Sequence, residues 1–249
     1  MEPIRPVHRV VAIVQARMGS TRLPGKVLQT IGHQPMLDWV MNRLHRCRRV
    51  EQVVVATTDR EWDQVLVDYC RDRGWSVFCG PENDVLQRYL EAATWSNADV
   101  VVRVTADCPL IDPKLIDDVV DRLCQTRHCE YVSNFYPERR FPRGLDCEAF
   151  FAETLHRAAR LIGEASRYRE HVTLYLYEHP QLFALGEFTA DDDWSHLRWT
   201  VDTLADWELM EAVATWFGRD DFCWQDVLAA YTDNPHWLSI NNEVAQKVA

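Results

Sequence analysis

Arg17, Arg22 and Lys26 share the segment from Gln15 to Lys26 with the hydroxyls of Ser20 and Thr21 and with two glycines, Gly19 and Gly25. Residues of these types hold phosphates: glycines let backbone amides approach an anion, arginine grips it as a fork, and lysine meets it as a point charge. Asp107 and Asp202 add a second chemistry. Each follows an apolar run, Val100–Val104 and Leu197–Val201, so each is placed where a buried-type strand ends. A pair of carboxylates suffices for Mg²⁺, which keeps several waters and takes its other ligands from phosphates. Cations beside such a pair suit nucleotidyl transfer, which asks the protein for positioning and charge and for little covalent help. The competing readings are structural: a solvated cationic loop, an Asx turn at Asp107 before Pro109, and a helix cap at Asp202.

The secondary structure must bring these residues to one edge. Val10–Val14 reads as a strand covered on both faces, and the cationic loop leaves its carboxyl end, where open α/β sheets bind ligands. Further strands are predicted at Val53–Val55, Ser76–Phe78 and Val100–Val104, separated by helical patterns. Pro35 opens one helix, Asp84 caps another, and Asp112-Pro113 starts a third. Thr58 and Glu61 have capping-box spacing, before a stripe of Trp62, Val65, Leu66 and Tyr69. The second half is less regular. Strands are predicted at Glu130–Asn134, Leu145–Phe151 and Leu197–Val201, and helices from Thr154, from Tyr168, over Leu204–Trp216 and over 224–232. The expected fold is α/β: a mostly parallel Rossmann-like sheet with helices on both faces and a smaller irregular α+β second half. No linker divides it, so one domain is expected over 1–249, with a nucleotide-binding half (1–128) and a second half (129–249).

Standard nucleotide fingerprints are absent. Five residues separate Gly19 from Gly25 and Val27 follows Lys26, which breaks the Walker A pattern, and no G-x-G-x-x-G turn occurs. The segment from Gln15 to Lys26 instead resembles the signature loop of the cytidylyltransferases that make CMP-activated sugars, the CMP-acylneuraminate and CMP-Kdo synthetases. It is most similar to the spore-coat polysaccharide biosynthesis protein F-like branch. Thr57-Thr58-Asp59, Asp84–Tyr89, Thr105–Leu110 and Thr200–Thr203 extend the resemblance over most of the chain.

The resemblance implies CTP as co-substrate, contacted by Ala16, Arg17, Gly19, Ser20, Lys26, Thr58, Asp59, Arg88 and Asp107. It assigns Mg²⁺ to Asp107 and Asp202, a place their positions also favour. Arg17 and Lys26 would then offset charge on the triphosphate and the leaving pyrophosphate. Arg143, Asp146 and Glu148, with Arg169 and His171 on the helix predicted from Tyr168, fall in acceptor-side elements of that branch. Acidic sugars, amino sugars and small phosphonates are all open as acceptors. A homodimer formed through the second half is also implied.

Composition narrows the partners. With 27 basic and 38 acidic residues the net charge is −11, a poor match for a protein that binds nucleic acid through its phosphates. No apolar span reaches membrane length, and the polar start is unlike a signal sequence. Eight cysteines without C-x-x-C spacing read as reduced thiols in a cytoplasmic protein. Two other classes compete. Asp191-Asp192-Asp193 satisfies the D-x-D pattern of nucleotide-diphosphosugar glycosyltransferases, and a non-catalytic nucleotide-binding subunit would also keep the loop.

Overall fold

Val10 to Val14 are almost completely buried, as a continuous run of β-branched and small residues requires when both faces of a strand are covered. The computed structural model describes residues 8–164 and 166–245. Its elements begin with β1 (Val10–Gln15), a ribbon of β2 (Thr30–Ile31) and β3 (Gln34–Pro35), α1 (Met36–Leu44), β4 (Gln52–Thr58), α2 (Gln64–Asp72) and β5 (Ser76–Gly80). After these come α3 (Val85–Trp95), β6 (Val100–Thr105), α4 (Pro113–Gln125), β7 (Tyr131–Ser133), β8 (Glu148–Phe151), α5 (Ala152–Leu161) and α6 (Leu174–Glu178). The chain continues through β9 (Leu185–Glu187), α7 (Leu204–Phe217), α8 (Trp224–Asp233) and α9 (Trp237–Ile240).

The main sheet has seven strands in the order β5-β4-β1-β6-β8-β7-β9. Strands β5, β4, β1 and β6 are parallel, β8 runs antiparallel to β6 and β7, and β9 is parallel to β7. Both expected features are present: a mostly parallel first half and an irregular second half. Strand order adds what spacing could not show. The chain builds from β1 outward to β4 and β5, then returns to the other side of β1 as β6, so the winding reverses between β1 and β6. At such a reversal the connections leave in opposite directions and open a crevice at the carboxyl ends. Gln15 pairs with Thr105 at that end.

Alternate β1 side chains supply two cores. Val10, Ala12 and Val14 pack with α1, α4 and α7, whereas Val11 and Ile13 pack with α3 and α5. No disulfide forms among the described residues. No helix among the described residues is long and apolar enough to cross a membrane.

Local expectations fail in four places. The capping box at Thr58 does not form, because a 3₁₀ turn (Glu61–Asp63) precedes α2 and the Thr58 hydroxyl goes to Asp63. Trp62, in that tighter turn, and Val65, on the open side of α2, are 55% and 51% exposed. The helix expected from Tyr168 breaks into a 3₁₀ turn (Arg167–Arg169) and α6, with Val172 at φ 47° between them. Residues 197–201 are extended but join no sheet and form only an isolated bridge from Arg198 to Arg143.

That extended segment is stitched on two sides. Arg143 accepts from Trp199 N at 2.6 Å, and the Asp107 carbonyl accepts from Val201 N at 2.8 Å and Thr200 Oγ1 at 3.1 Å. Gly144 makes the close approach possible: its φ is 101°, and a Cβ there would lie 2.5 Å from Thr200 N and from the Trp199 carbonyl carbon. Gly144→Ala should therefore cost about 3 kcal/mol or more, combining backbone strain with a backbone clash. A urea midpoint unchanged from wild type would refute this.

Candidate functional site

The cationic loop is shaped by its own backbone and one buried acid. Ser20 N and Gly25 N both donate to Met18 O at 2.9 Å, and Leu23 N donates to Ser20 Oγ at 3.2 Å. Gly25 turns at φ 70°, and the next three residues, Lys26–Leu28, form a 3₁₀ turn. Asp63, fully buried, accepts from Met18 N at 2.6 Å and from the Thr58 hydroxyl, tying the loop to the end of β4. No sequence signal marked Asp63, because its role arises from the 3₁₀ turn.

Lys26 is the centre of the site. The residue is 7% exposed, and Nζ donates to Asp107 Oδ2 at 3.1 Å, Asp202 Oδ1 at 2.9 Å and Val201 O at 2.6 Å. An ammonium has three protons, so this set uses all of them. Burial alone would lower the Lys26 pKa, but Asp107 and Asp202 outweigh it and hold it above the ordinary lysine value.

Asp202 is heavily compensated. Its Oδ1 also meets Arg22 Nη2 at 2.9 Å, and its Oδ2 accepts from Arg198 Nη2 at 3.0 Å. Burial would raise its pKa, but Lys26, Arg22 and Arg198 together draw it below the usual carboxylate range. The cap reading of Asp202 is excluded by α7, whose cap is Thr203 in a reciprocal capping box with Asp206. Asp206 also accepts from Asp202 N at 3.0 Å and from Nε and Nη2 of Arg198, so it positions Arg198 against Asp202. The Thr203-x-x-Asp206 spacing was a readable signal for this support. At Asp107, Oδ1 accepts from Thr105 Oγ1 at 2.6 Å and Oδ2 faces Lys26, which is not an Asx turn.

Lys26, Asp107 and Asp202 line a cleft of about 230 Å³ at the β1/β6 reversal, together with Ala16, Arg17 and Ser20. Arg22, counted among the loop cations without a separate role, lines it too. Gln15 contributes an amide oxygen that is buried without a partner.

Other expected residues are placed differently. A Cβ at Gly19 would meet only Trp62 Nε1, at 4.0 Å, so its backbone does not require glycine. Thr58 is buried against Asp63, and Asp59 is an exposed residue whose amide donates to Gly80 O at 3.0 Å. Arg88 is 1% exposed and donates to Pro81 O at 2.6 Å, so it anchors the turn before α3. Glu148 is also 1% exposed and is consumed by Arg103, Tyr131 and Thr173. Asp146 pairs with Arg139, and Arg169 with Asp84 at 2.6 Å. His171 stands in the turn before α6, and its backbone carbonyl accepts from Leu174 N at 3.1 Å. Arg143 lines a neighbouring cavity of about 440 Å³ with His196 and Arg198. Asp191 and Asp192 border a third cavity, lined by none of the cleft residues, and Asp193 accepts from Ser195 N at 2.9 Å.

Known proteins share this fold and sequence. The chain is 32% identical over 236 residues to the spore coat polysaccharide biosynthesis protein SpsF of Bacillus subtilis, covering 92% of this chain and 96% of that protein. A cytidylyltransferase from Leptospira borgpetersenii superposes with a TM-score of 0.88 at 35% identity, over 97% of this chain and 99% of that one. A CMP:2-keto-3-deoxy-manno-octonic acid synthetase complexed with CTP has the same fold, with a TM-score of 0.63 at 20% identity over 83% of this chain and 98% of its own. Residues 11–213 match the cytidylyltransferase family, and the chain belongs to it.

Proposed function

We propose that this CTP-dependent nucleotidyltransferase transfers CMP to the oxygen of a small acceptor, an acidic or amino sugar or a small phosphonate, with Mg²⁺ and release of pyrophosphate. The observation that carries this reading is the meeting of Asp107 and Asp202 on Lys26 within a cation-lined cleft at the β1/β6 reversal. The donor set fits Mg²⁺. Two carboxylates converge on one point of the cleft, and such an ion takes its remaining ligands from phosphates and water. Bound there, Mg²⁺ would neutralise charge on the phosphates.

The chain's own residues supply the rest. Arg17 and the Ser20 hydroxyl bind and orient the triphosphate, and Arg22 adds a fork-shaped cation on the same side of the cleft. Arg198, fixed by Asp206, keeps the Asp202 carboxylate ionised and aimed. Arg143, in the adjoining cavity, is the acceptor-side cation. Incubation with each nucleoside triphosphate and a panel of acceptors, read by product mass and pyrophosphate release, tests the reading. CTP alone among the nucleotides should yield a CMP-linked product and pyrophosphate, and chelation should stop both. No product from any triphosphate, with nucleotide released from a nucleotide-diphosphosugar donor instead, would point to a glycosyltransferase.

A further inference from the structure

Lys26 is placed less like a phosphate ligand than like a resident cation. Its ammonium stands between the two inward-facing oxygens, Asp107 Oδ2 and Asp202 Oδ1, that a divalent ion would use, and Val201 O takes its third proton. No donor remains for a phosphate while all three contacts hold. Two other cations stand at Asp202: Arg22 shares Oδ1 with Lys26, and Arg198 holds Oδ2.

We infer that Lys26 is an exchangeable counter-ion of the carboxylate pair, which yields those oxygens to a divalent cation only when a triphosphate offers its ammonium new acceptors. The inference rests on the nucleotidyl-transfer reading of the cleft and adds an order of events to it. Without nucleotide, Lys26 blocks the cation position. With the triphosphate present, the ammonium moves its charge from carboxylate to phosphate, and metal and nucleotide bind as one unit. Charge accounts for the coupling: bringing a divalent ion beside a fixed ammonium in a partly buried site is costly, and anionic phosphate removes the cost.

Mn²⁺ alone is the probe, titrated without nucleotide into wild type and Lys26→Met and followed by the EPR signal of free Mn²⁺. Wild type should bind Mn²⁺ weakly, and the variant about tenfold or more tightly, since it lacks the one ammonium that sits on both Asp107 Oδ2 and Asp202 Oδ1. A thermal melt should agree, with Mn²⁺ raising the midpoint of the variant more than that of wild type. Equal or weaker Mn²⁺ binding by Lys26→Met, in a chain with wild-type circular dichroism, overturns the inference. Lys26→Arg serves as the second variant. It restores a cation and should return Mn²⁺ binding toward the wild-type value, and tight binding by this variant would also overturn the inference. None of these readouts depends on turnover. If wild type makes no product from CTP and yet Lys26→Met binds Mn²⁺ more tightly, the functional reading fails and the counter-ion exchange stands.

Discussion

Asp107→Asn should lower CMP transfer by at least about 10³-fold, a loss of about 4 kcal/mol of transition-state stabilisation, while the protein remains folded. The neutral amide cannot supply charge to a divalent cation, but it keeps the shape of the side chain. Its oxygen can still accept from Lys26 Nζ, and the Thr105 hydroxyl, which donates to Oδ1 in the native chain, can instead accept from the amide nitrogen. The backbone anchors are untouched, since the Asp107 carbonyl holds Val201 N and Thr200 Oγ1 whatever the side chain. Product formation from CTP, followed by mass, and the urea midpoint separate the two effects. Turnover within tenfold of wild type would remove Asp107 from the reaction.

A loss of similar size, in stability and not in chemistry, should follow Glu148→Ala. Glu148 lies opposite Arg103 in the β6/β8 register and accepts from Arg103 Nη1 at 2.5 Å, Tyr131 OH at 2.6 Å and Thr173 Oγ1 at 2.5 Å. Burial would lower the Arg103 pKa, but Glu148 outweighs it and holds it above its ordinary value, so Arg103 stays charged inside the protein. Truncating Glu148 strands that charge and leaves two hydroxyls without an acceptor, at a cost of about 3–5 kcal/mol. Glu148→Gln keeps one acceptor oxygen and should lose less. Urea denaturation orders the two variants, and a Glu148→Ala midpoint near that of wild type would contradict this account.

Glu148 also marks the limit of what the sequence makes legible. A carboxylate after Gly144-Leu145-Asp146-Cys147 looks available for an acceptor, because nothing local shows that Arg103, Tyr131 and Thr173 converge on it. Signals that depend on near neighbours are readable. The apolar run of β1, the Asp84 and Asp112 caps and the glycine turn at Gly25 all follow from residues a few positions apart, and the structure contains each of them. The pairing of Asp107 with Asp202 was legible as a likelihood of shared edge, although the means was not. Residues 197–201 reach Asp107 as an extended segment tied to its carbonyl, not as a strand of the sheet. Trp62 shows the opposite failure, since helical periodicity was assumed where the chain takes a tighter turn.

The threefold grip of Lys26 joins parts of the chain that lie far apart in sequence, 81 residues from Asp107 and 176 from Asp202. A ribosome-bound chain that has emerged only through α4 therefore has the loop and the first carboxylate but no second one. The cleft closes after α6 and β9, when residues 197–201 dock between Gly144 and Asp107. Turnover thus reports on a long-range docking made by the second half of the chain, and a partly folded chain holds its cationic loop without the power to spend CTP.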